Sequence, residues 1–119
     1  MTATTTLDVE ALARAIESRD AAGQLAAYSP EAELVLIDSD NPPSRPRIVH
    51  GTDALNTYLQ DVCDRDMAHE VRAVVADDER IAFEVACRYP DGKRVLCLCI
   101  ADVSGGRITR QHQVQAWDS

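Results

Sequence analysis

The sequence predicts an α+β fold in which helices come first and an antiparallel sheet follows. Apolar residues recur mainly at helical spacing as far as Asp66, and at the alternating spacing of strands after it. Short turns join the later strands, and strands joined by tight hairpins pair in antiparallel fashion. Helices gathered early and strands gathered late are typical of an α+β domain.

Two helices are predicted at the start of the chain. Thr6 is expected to cap the first helix, whose apolar stripe contains Val9, Leu12 and Ile16. Gly23 interrupts this pattern. A second short helix is therefore expected over 24–28, ended by Pro30.

A strand and a third helix complete the first half. The strand is predicted over 33–38, followed by a loop over 39–47 that contains three prolines and by a brief strand at 48–49. Thr52 opens the third helix, and its apolar stripe consists of Leu55, Tyr58, Leu59 and Val62.

Four strands are predicted in the second half, over 69–75, 81–89, 95–103 and 108–117. The third of them, 95–103, is apolar on both faces, whereas a strand with one wet face alternates. A second copy of the chain is the simplest cover for the extra apolar face. The sequence therefore predicts a homodimer that pairs through the outer face of the sheet.

The composition allows one domain over 1–119, with 1–6 as a flexible N-terminus. A net charge of −8 argues against the basic surface that binding to nucleic acid or an anionic membrane requires, so neither partner is expected. No apolar run is long enough to span a bilayer, and the first residues lack the regions of a signal peptide. We therefore expect a cytoplasmic protein.

The four cysteines do not have the spacing of a metal site. No CxxC pair occurs, and Cys97 and Cys99 are two residues apart in an apolar run. We interpret them, with Cys63 and Cys87, as buried free thiols that pack as small apolar groups. No metal and no organic cofactor is expected.

Two short motifs carry a resemblance to a known family. The phrase 48–55, Ile-Val-His-Gly-Thr-Asp-Ala-Leu, opens the third helix, and 106–108, Gly-Arg-Ile, opens the last strand. With the element order, they resemble the nuclear transport factor 2-like superfamily over 7–118, and within it the SnoaL-like polyketide cyclase and ketosteroid isomerase branch. The resemblance implies a cone-shaped α+β barrel, with a curved antiparallel sheet packed on three helices around a deep pocket. Dimers are common in this superfamily.

The catalytic residues of ketosteroid isomerases are missing at the matching positions. Ala15 stands where the resemblance implies a Tyr, Leu36 where it implies the Asp base, and Cys99 or Ile100 where it implies the second acid. The Asp-Arg-Asp set of limonene-epoxide-hydrolase-like members is missing too. We expect a protein that binds a small hydrophobic molecule, with acid–base isomerase, cyclase or dehydratase chemistry as one interpretation. A non-catalytic ligand-binding or dimerisation module is the alternative, and a structural domain with a filled pocket is the third.

Asp38 and His69 are the candidate catalytic residues. Asp38 shares a strand face with Leu36, so it is either a base near the pocket mouth or a strand-end carboxylate in water. His69 is in phase with Val71 and Val75, which are expected to point inward. It is either a proton shuttle in the pocket or a structural histidine bonded to a loop carbonyl.

The last strand supplies the candidate binding residues. Gln111, Gln113 and Gln115 share one face with Thr109 and Trp117, which by the resemblance faces the pocket. Amides orient a carbonyl or hydroxyl without the cost of burying a charge. In the reversed register the three amides would face solvent or a dimer partner. Three other residues are expected to line the pocket: Tyr58 as a phenol donor or packing residue, Phe83, and Asp102 if 105–106 is a two-residue turn.

Overall fold

Six strands form one curved sheet, and three helices cover one of its faces. The computed structural model describes residues 6–118, so the expected flexible segment 1–6 lies outside the described residues apart from Thr6. Within that range the elements are α1 Val9–Glu17, α2 Ala21–Leu25, β1 Tyr28–Ile37, β2 Arg47–His50, α3 Thr52–Asp64, β3 Ala68–Ala76, β4 Arg80–Arg88, β5 Arg94–Ser104 and β6 Arg107–Trp117.

The sheet has the strand order β2-β1-β6-β5-β4-β3. Hairpins connect β3 to β4, β4 to β5 and β5 to β6, and all neighbours pair antiparallel except β1 and β6, which run parallel. The predicted α+β class, with a curved sheet packed on three helices, is confirmed. The sheet is unclosed, and its parallel β1–β6 pair departs from the antiparallel pairing that was expected throughout. None of the helices in residues 6–118 is long and apolar enough to cross a membrane.

The caps and bounds of the first two helices differ from the prediction. Asp8, not Thr6, caps α1, because its carboxylate accepts a hydrogen bond from the Ala11 amide at 2.9 Å. Asp20 caps α2 in the same way through the amide of Gly23 at 3.0 Å, so this glycine lies inside the helix and does not interrupt it. A Cβ at Gly23 would lie 2.5 Å from the Asp20 carboxylate, which explains why a glycine stands there.

β1 begins earlier than predicted. Tyr28 was expected at the end of a helix and Pro30 just after it, but both belong to the strand. Between Tyr28 and Glu33 the pairing with β6 shifts register, and a proline is tolerated at such an irregularity because no regular ladder bond is lost.

A bulge in β3 reverses the faces of the residues that follow it. The pairing with β4 shifts between Arg72 and Val75, and Ala73 there adopts φ +54°. His69 and Val71, before the bulge, keep the inward phase. Val75 is 72% exposed, so its predicted inward position is wrong because the bulge inserts one residue.

A second bulge, in β6, contradicts the predicted positions of two further residues. Asp102 pairs with Arg110 and Val103 with Ile108, which leaves Thr109 as the extra residue. Thr109 therefore leaves the face of the glutamines and donates its hydroxyl to the Asp102 carbonyl at 3.3 Å. Asp102 does not line the pocket, because its side chain lies on the outer face and pairs with Arg80 at 3.4 Å.

The inner face of the sheet and the helices share one apolar core. Its most deeply buried large side chains come from four different elements: Leu34, Leu55, Ile81 and Ile108. On β5 the residues alternate strictly between a buried and an exposed face, although both faces are apolar. The strand therefore presents an uncovered apolar strip to the outside.

Candidate functional site

A cavity of about 490 Å³ lies between the inner face of the sheet and the helices. This volume falls within the range of pockets that hold small organic ligands. The cavity wall carries seven of the residues that the sequence nominated, but not Asp102: Asp38, Tyr58, His69, Phe83, Gln111, Gln113 and Gln115. Asp40 and Trp117, which are exposed, also line it, so the cavity reaches solvent beside the loop after β1.

The three glutamines of β6 line the cavity because alternation on this strand is regular after the bulge. Gln111 is 3% exposed, and it accepts a hydrogen bond from the Tyr28 hydroxyl at 2.9 Å through its amide oxygen. The amide nitrogen of Gln111 then donates to the amide oxygen of Gln113 at 3.4 Å. In the structure the amide row therefore faces inward and not toward solvent.

The row ends at a phenol on the opposite wall. The amide nitrogen of Gln113 donates to the Tyr58 hydroxyl oxygen at 3.3 Å. Each group from Tyr28 to Tyr58 thus donates to the next in one direction. Because Tyr58 is the last acceptor, its own O–H remains a donor, and within residues 6–118 no acceptor is assigned to it.

Burial raises the pKa of both phenols further above neutral pH. Removal from water raises the pKa of Tyr58 to about 12, against a smaller lowering effect of the Gln113 amide. Burial likewise raises the pKa of Tyr28 well above its ordinary value. The Arg47 guanidinium lies 5.4 Å from the centroid of the Tyr58 ring and holds that ring in a cation–π contact. At neutral pH, Tyr58 is therefore a fixed and uncharged donor.

Asp38 lies on the cavity wall, but its recorded hydrogen bonds go to its own loop. One carboxylate oxygen accepts from the backbone amides of Asp40 and Asn41, both at 2.9 Å, and from the Asn41 side chain at 3.0 Å. This is the geometry of an Asx turn, which fixes the start of the proline-rich loop. These contacts fit the interpretation of Asp38 as a strand-end carboxylate better than its interpretation as a catalytic base.

His69 has a partner that the sequence did not indicate. Its Nδ1 lies 3.2 Å from the sulfur of Cys87, which stands directly opposite on β4. Within residues 6–118, His69 makes no hydrogen bond to the loop carbonyl expected for a structural histidine. The neighbouring Cys97 thiol, and after it the His69 imidazole, hold the pKa of Cys87 below its ordinary value, although burial raises it.

The other cavity cysteines behave as expected of buried thiols. Burial raises the pKa of Cys99 to about 12, and its sulfur lies 3.6 Å from the amide oxygen of Gln113. Among residues 6–118, no group of three or more His, Cys, Asp or Glu side chains is arranged to hold a metal ion.

Aromatic and apolar side chains form part of the rim and floor of the cavity. Trp117 donates its indole N–H to the Gln115 side chain at 3.3 Å and packs against Tyr89, with ring centroids 5.9 Å apart. Phe83 is buried and lines the cavity together with Leu36. Leu36 is the residue for which the family resemblance implied an Asp base. The wall can therefore hold an apolar ligand and orient one polar group of it.

Solved structures with the same fold come from several bacteria. A candidate ketosteroid isomerase from Kribbella flavida is 16% identical, with a TM-score of 0.74 over 92% of this chain and 74% of that one. A cystatin-like protein from Silicibacter pomeroyi is 14% identical, with a TM-score of 0.73 over 91% and 72%. A candidate isomerase from Bacillus subtilis is 14% identical, with a TM-score of 0.69 over 91% and 83%.

At these identities the likeness shows the fold alone. No curated protein matches the chain significantly. The sequence model of the SnoaL-like domain family, however, matches residues 9–111, which is most of the chain. The predicted resemblance is thereby confirmed: this chain belongs to the SnoaL-like domain family, within the nuclear transport factor 2-like superfamily.

Proposed function

We propose that the protein binds a small apolar molecule that carries a carbonyl or hydroxyl oxygen, and that Tyr58 donates a hydrogen bond to that oxygen. The one-directional chain from Tyr28 through Gln111 and Gln113 carries this proposal, because it leaves the Tyr58 proton for a ligand. The relation of the fold to ketosteroid isomerases and polyketide cyclases also supports a ligand of this class.

The lining favours a neutral ligand over an ionised one. Apolar side chains from three elements surround the amide row: Leu34, Leu36, Leu59, Phe83 and Val85. Transferring an ion into such a lining is costly unless an opposite charge pairs with it, whereas a neutral carbonyl needs only a donor. We limit the proposal to binding because Asp38, the nominated carboxylate, is engaged by its own loop.

Replacing Tyr58 by Phe should weaken the binding of a bicyclic ketone such as 1-tetralone roughly tenfold, because one hydrogen bond in a dry site is lost. The hydrocarbon tetralin, which has the same rings without the oxygen, should bind both proteins equally. Calorimetric titration of the two ligands into the two proteins gives four binding free energies. Their difference of differences is the interaction free energy between the Tyr58 hydroxyl and the ketone oxygen of the ligand.

The matched hydrocarbon separates a lost hydrogen bond from a distorted cavity. If Tyr58→Phe weakened the binding of tetralin as much as that of 1-tetralone, the phenol would have no specific role in recognising the oxygen. If neither ligand bound the unaltered protein, the proposed ligand class would be wrong.

We also propose that a second copy covers the apolar strip on the outer face of the sheet. The strip consists of neighbouring side chains of β5 and β6: Leu96, Leu98, Ile100 and Val114. Leu98 pairs with Val114 and is 52% exposed, so the strip is continuous across two strands. Exposed apolar patches of this kind mark interfaces, and a two-fold axis would place the same strip on both sides.

Leu98→Glu should raise the dimer dissociation constant about tenfold or more, because it places a charge at the centre of the strip. Sedimentation velocity at micromolar concentration measures the change. Val75→Glu is the matched control, since Val75 is an exposed apolar residue outside the strip. An unaltered protein that sediments as a monomer would contradict the proposed dimer.

A further inference from the structure

A thiol and an imidazole face each other on the cavity wall, and the non-covalent binding proposed above uses neither. His69 on β3 and Cys87 on β4 are direct cross-strand partners, which places their side chains on the same face of the sheet. Nδ1 and Sγ are 3.2 Å apart, and both residues line the cavity. This is the contact through which a histidine takes a proton from a thiol.

A second thiol adjoins the first. Cys97 on β5 pairs with Val85 and therefore lies diagonally beside Cys87 on the same inner face. The two neighbouring thiols influence each other, which lowers the pKa of Cys87 and raises that of Cys97. A thiol that adjoins an imidazole and a second thiol forms the thiolate, the nucleophilic form of cysteine, more readily than an isolated one.

We infer that Cys87 is a nucleophile of the cavity, positioned by its contact with His69 to add to an α,β-unsaturated carbonyl compound. The imidazole takes the thiol proton, and the sulfur forms a bond to the β-carbon of the ligand. The π electrons of the C=C bond move to the α-carbon as an enolate. The proton then passes from His69 to the α-carbon, so the product is a saturated thioether and no oxidant or leaving group is involved.

The surroundings favour this class of electrophile. A thiolate is a soft nucleophile, and a conjugated carbonyl offers it a soft carbon atom in a neutral and largely apolar molecule. The cavity that holds Cys87 also holds the Tyr58 phenol, which is a donor for a carbonyl oxygen. The inference shares the cavity with the proposed function but adds a covalent step to it.

N-ethylmaleimide, itself an α,β-unsaturated carbonyl compound, is the probe. At pH 6 we expect it to modify Cys87 about tenfold faster than Cys99 or Cys63, as measured by peptide mass spectrometry over time. Cys99 is the matched control, because it is equally buried on the same wall but has no imidazole beside it. Cys63 reports the reagent's access to a half-buried thiol outside the cavity.

His69→Phe should slow the modification of Cys87 about tenfold and leave Cys63 unchanged. Equal rates for Cys87 and Cys99, or an unchanged Cys87 rate in this variant, would overturn the inference. Equal rates at all three buried thiols would overturn it as well, because the reagent would then be modifying the unfolded chain and not a positioned nucleophile. A thermal melt of the variant confirms that its fold is retained.

Cys87→Ser separates this inference from the proposed function. The variant should still bind 1-tetralone while losing the fast adduct. Slow modification of Cys87 together with normal tetralone binding would refute the nucleophile alone. Fast modification without any tetralone binding would refute the reversible site alone.

Discussion

Gln111→Glu is expected to lower the free energy of unfolding by about 2–4 kcal/mol at pH 7.5 and by much less at pH 4.5. The amide of Gln111 is 3% exposed, and its nitrogen donates to Gln113. A glutamate at this position has no amide N–H to donate. Its carboxylate would face the Gln113 oxygen and would be excluded from water. Burial of this kind raises the pKa of a carboxyl by a few units, and each unit corresponds to about 1.4 kcal/mol.

The direction of the pH dependence follows from that raised pKa. In the unfolded chain the introduced carboxyl has a pKa of about 4.3, and in the folded chain a higher one. Below about 4.3 both states hold the proton, so the charge costs nothing. As the pH rises toward the folded pKa, only the unfolded state ionises freely, and the variant loses stability relative to the unaltered protein.

Urea unfolding of both proteins at pH 4.5 and 7.5 measures the effect. Gln115→Glu is the matched control, because Gln115 lies on the same strand face but is only half-buried. Its loss of stability should be small and nearly independent of pH. An equal loss for Gln111→Glu at both pH values would mean that residue 111 is in contact with water.

Much of the sheet could be predicted because strands that bury one face show it directly. Ile81, Phe83, Val85 and Cys87 alternate in the sequence and point inward in β4. The bulges could not be predicted, because nothing at Ala73 or Thr109 marks them. Ala73 even adopts a positive φ, a conformation that favours glycine, so pairing with β4 and not local preference determines it.

The same bulge explains why the partner of His69 was missed. Ala76 pairs with Ile81 next to the turn, and counting back from that pair without a bulge would place His69 opposite Arg88. The extra residue in β3 shifts the register by one and places His69 opposite Cys87. The glutamine row lies beyond its own bulge, so alternation put its three amides on one face, and the family resemblance indicated that this face lines the pocket.

The helix caps show a different limit. Thr6 and Asp8 are both good capping residues, and the sequence pattern allows a helix to begin after either. The carboxylate of Asp8 reaches the Ala11 amide, so the first turn begins two residues later than predicted. Such a choice depends on how the helix packs and has little influence on the cavity.

Replacing Leu36 by Trp should leave the free energy of unfolding within about 1 kcal/mol of the unaltered protein and weaken 1-tetralone binding about a hundredfold. Leu36 is 4% exposed but borders the cavity, so a larger ring has open volume to enter. The ring would occupy the space that we propose for the ligand. Displacement of this kind affects binding strongly and the fold only slightly.

Leu55→Trp is the matched control, because Leu55 is 0% exposed and lies in the core away from the cavity wall. The same enlargement there meets packed side chains on all sides and should cost about 1–3 kcal/mol or more. Urea unfolding and calorimetric titration of both variants measure the two effects. If both substitutions destabilised the protein equally, the space beside Leu36 would be filled in solution, and neither the ligand nor an electrophile for Cys87 would have room to enter.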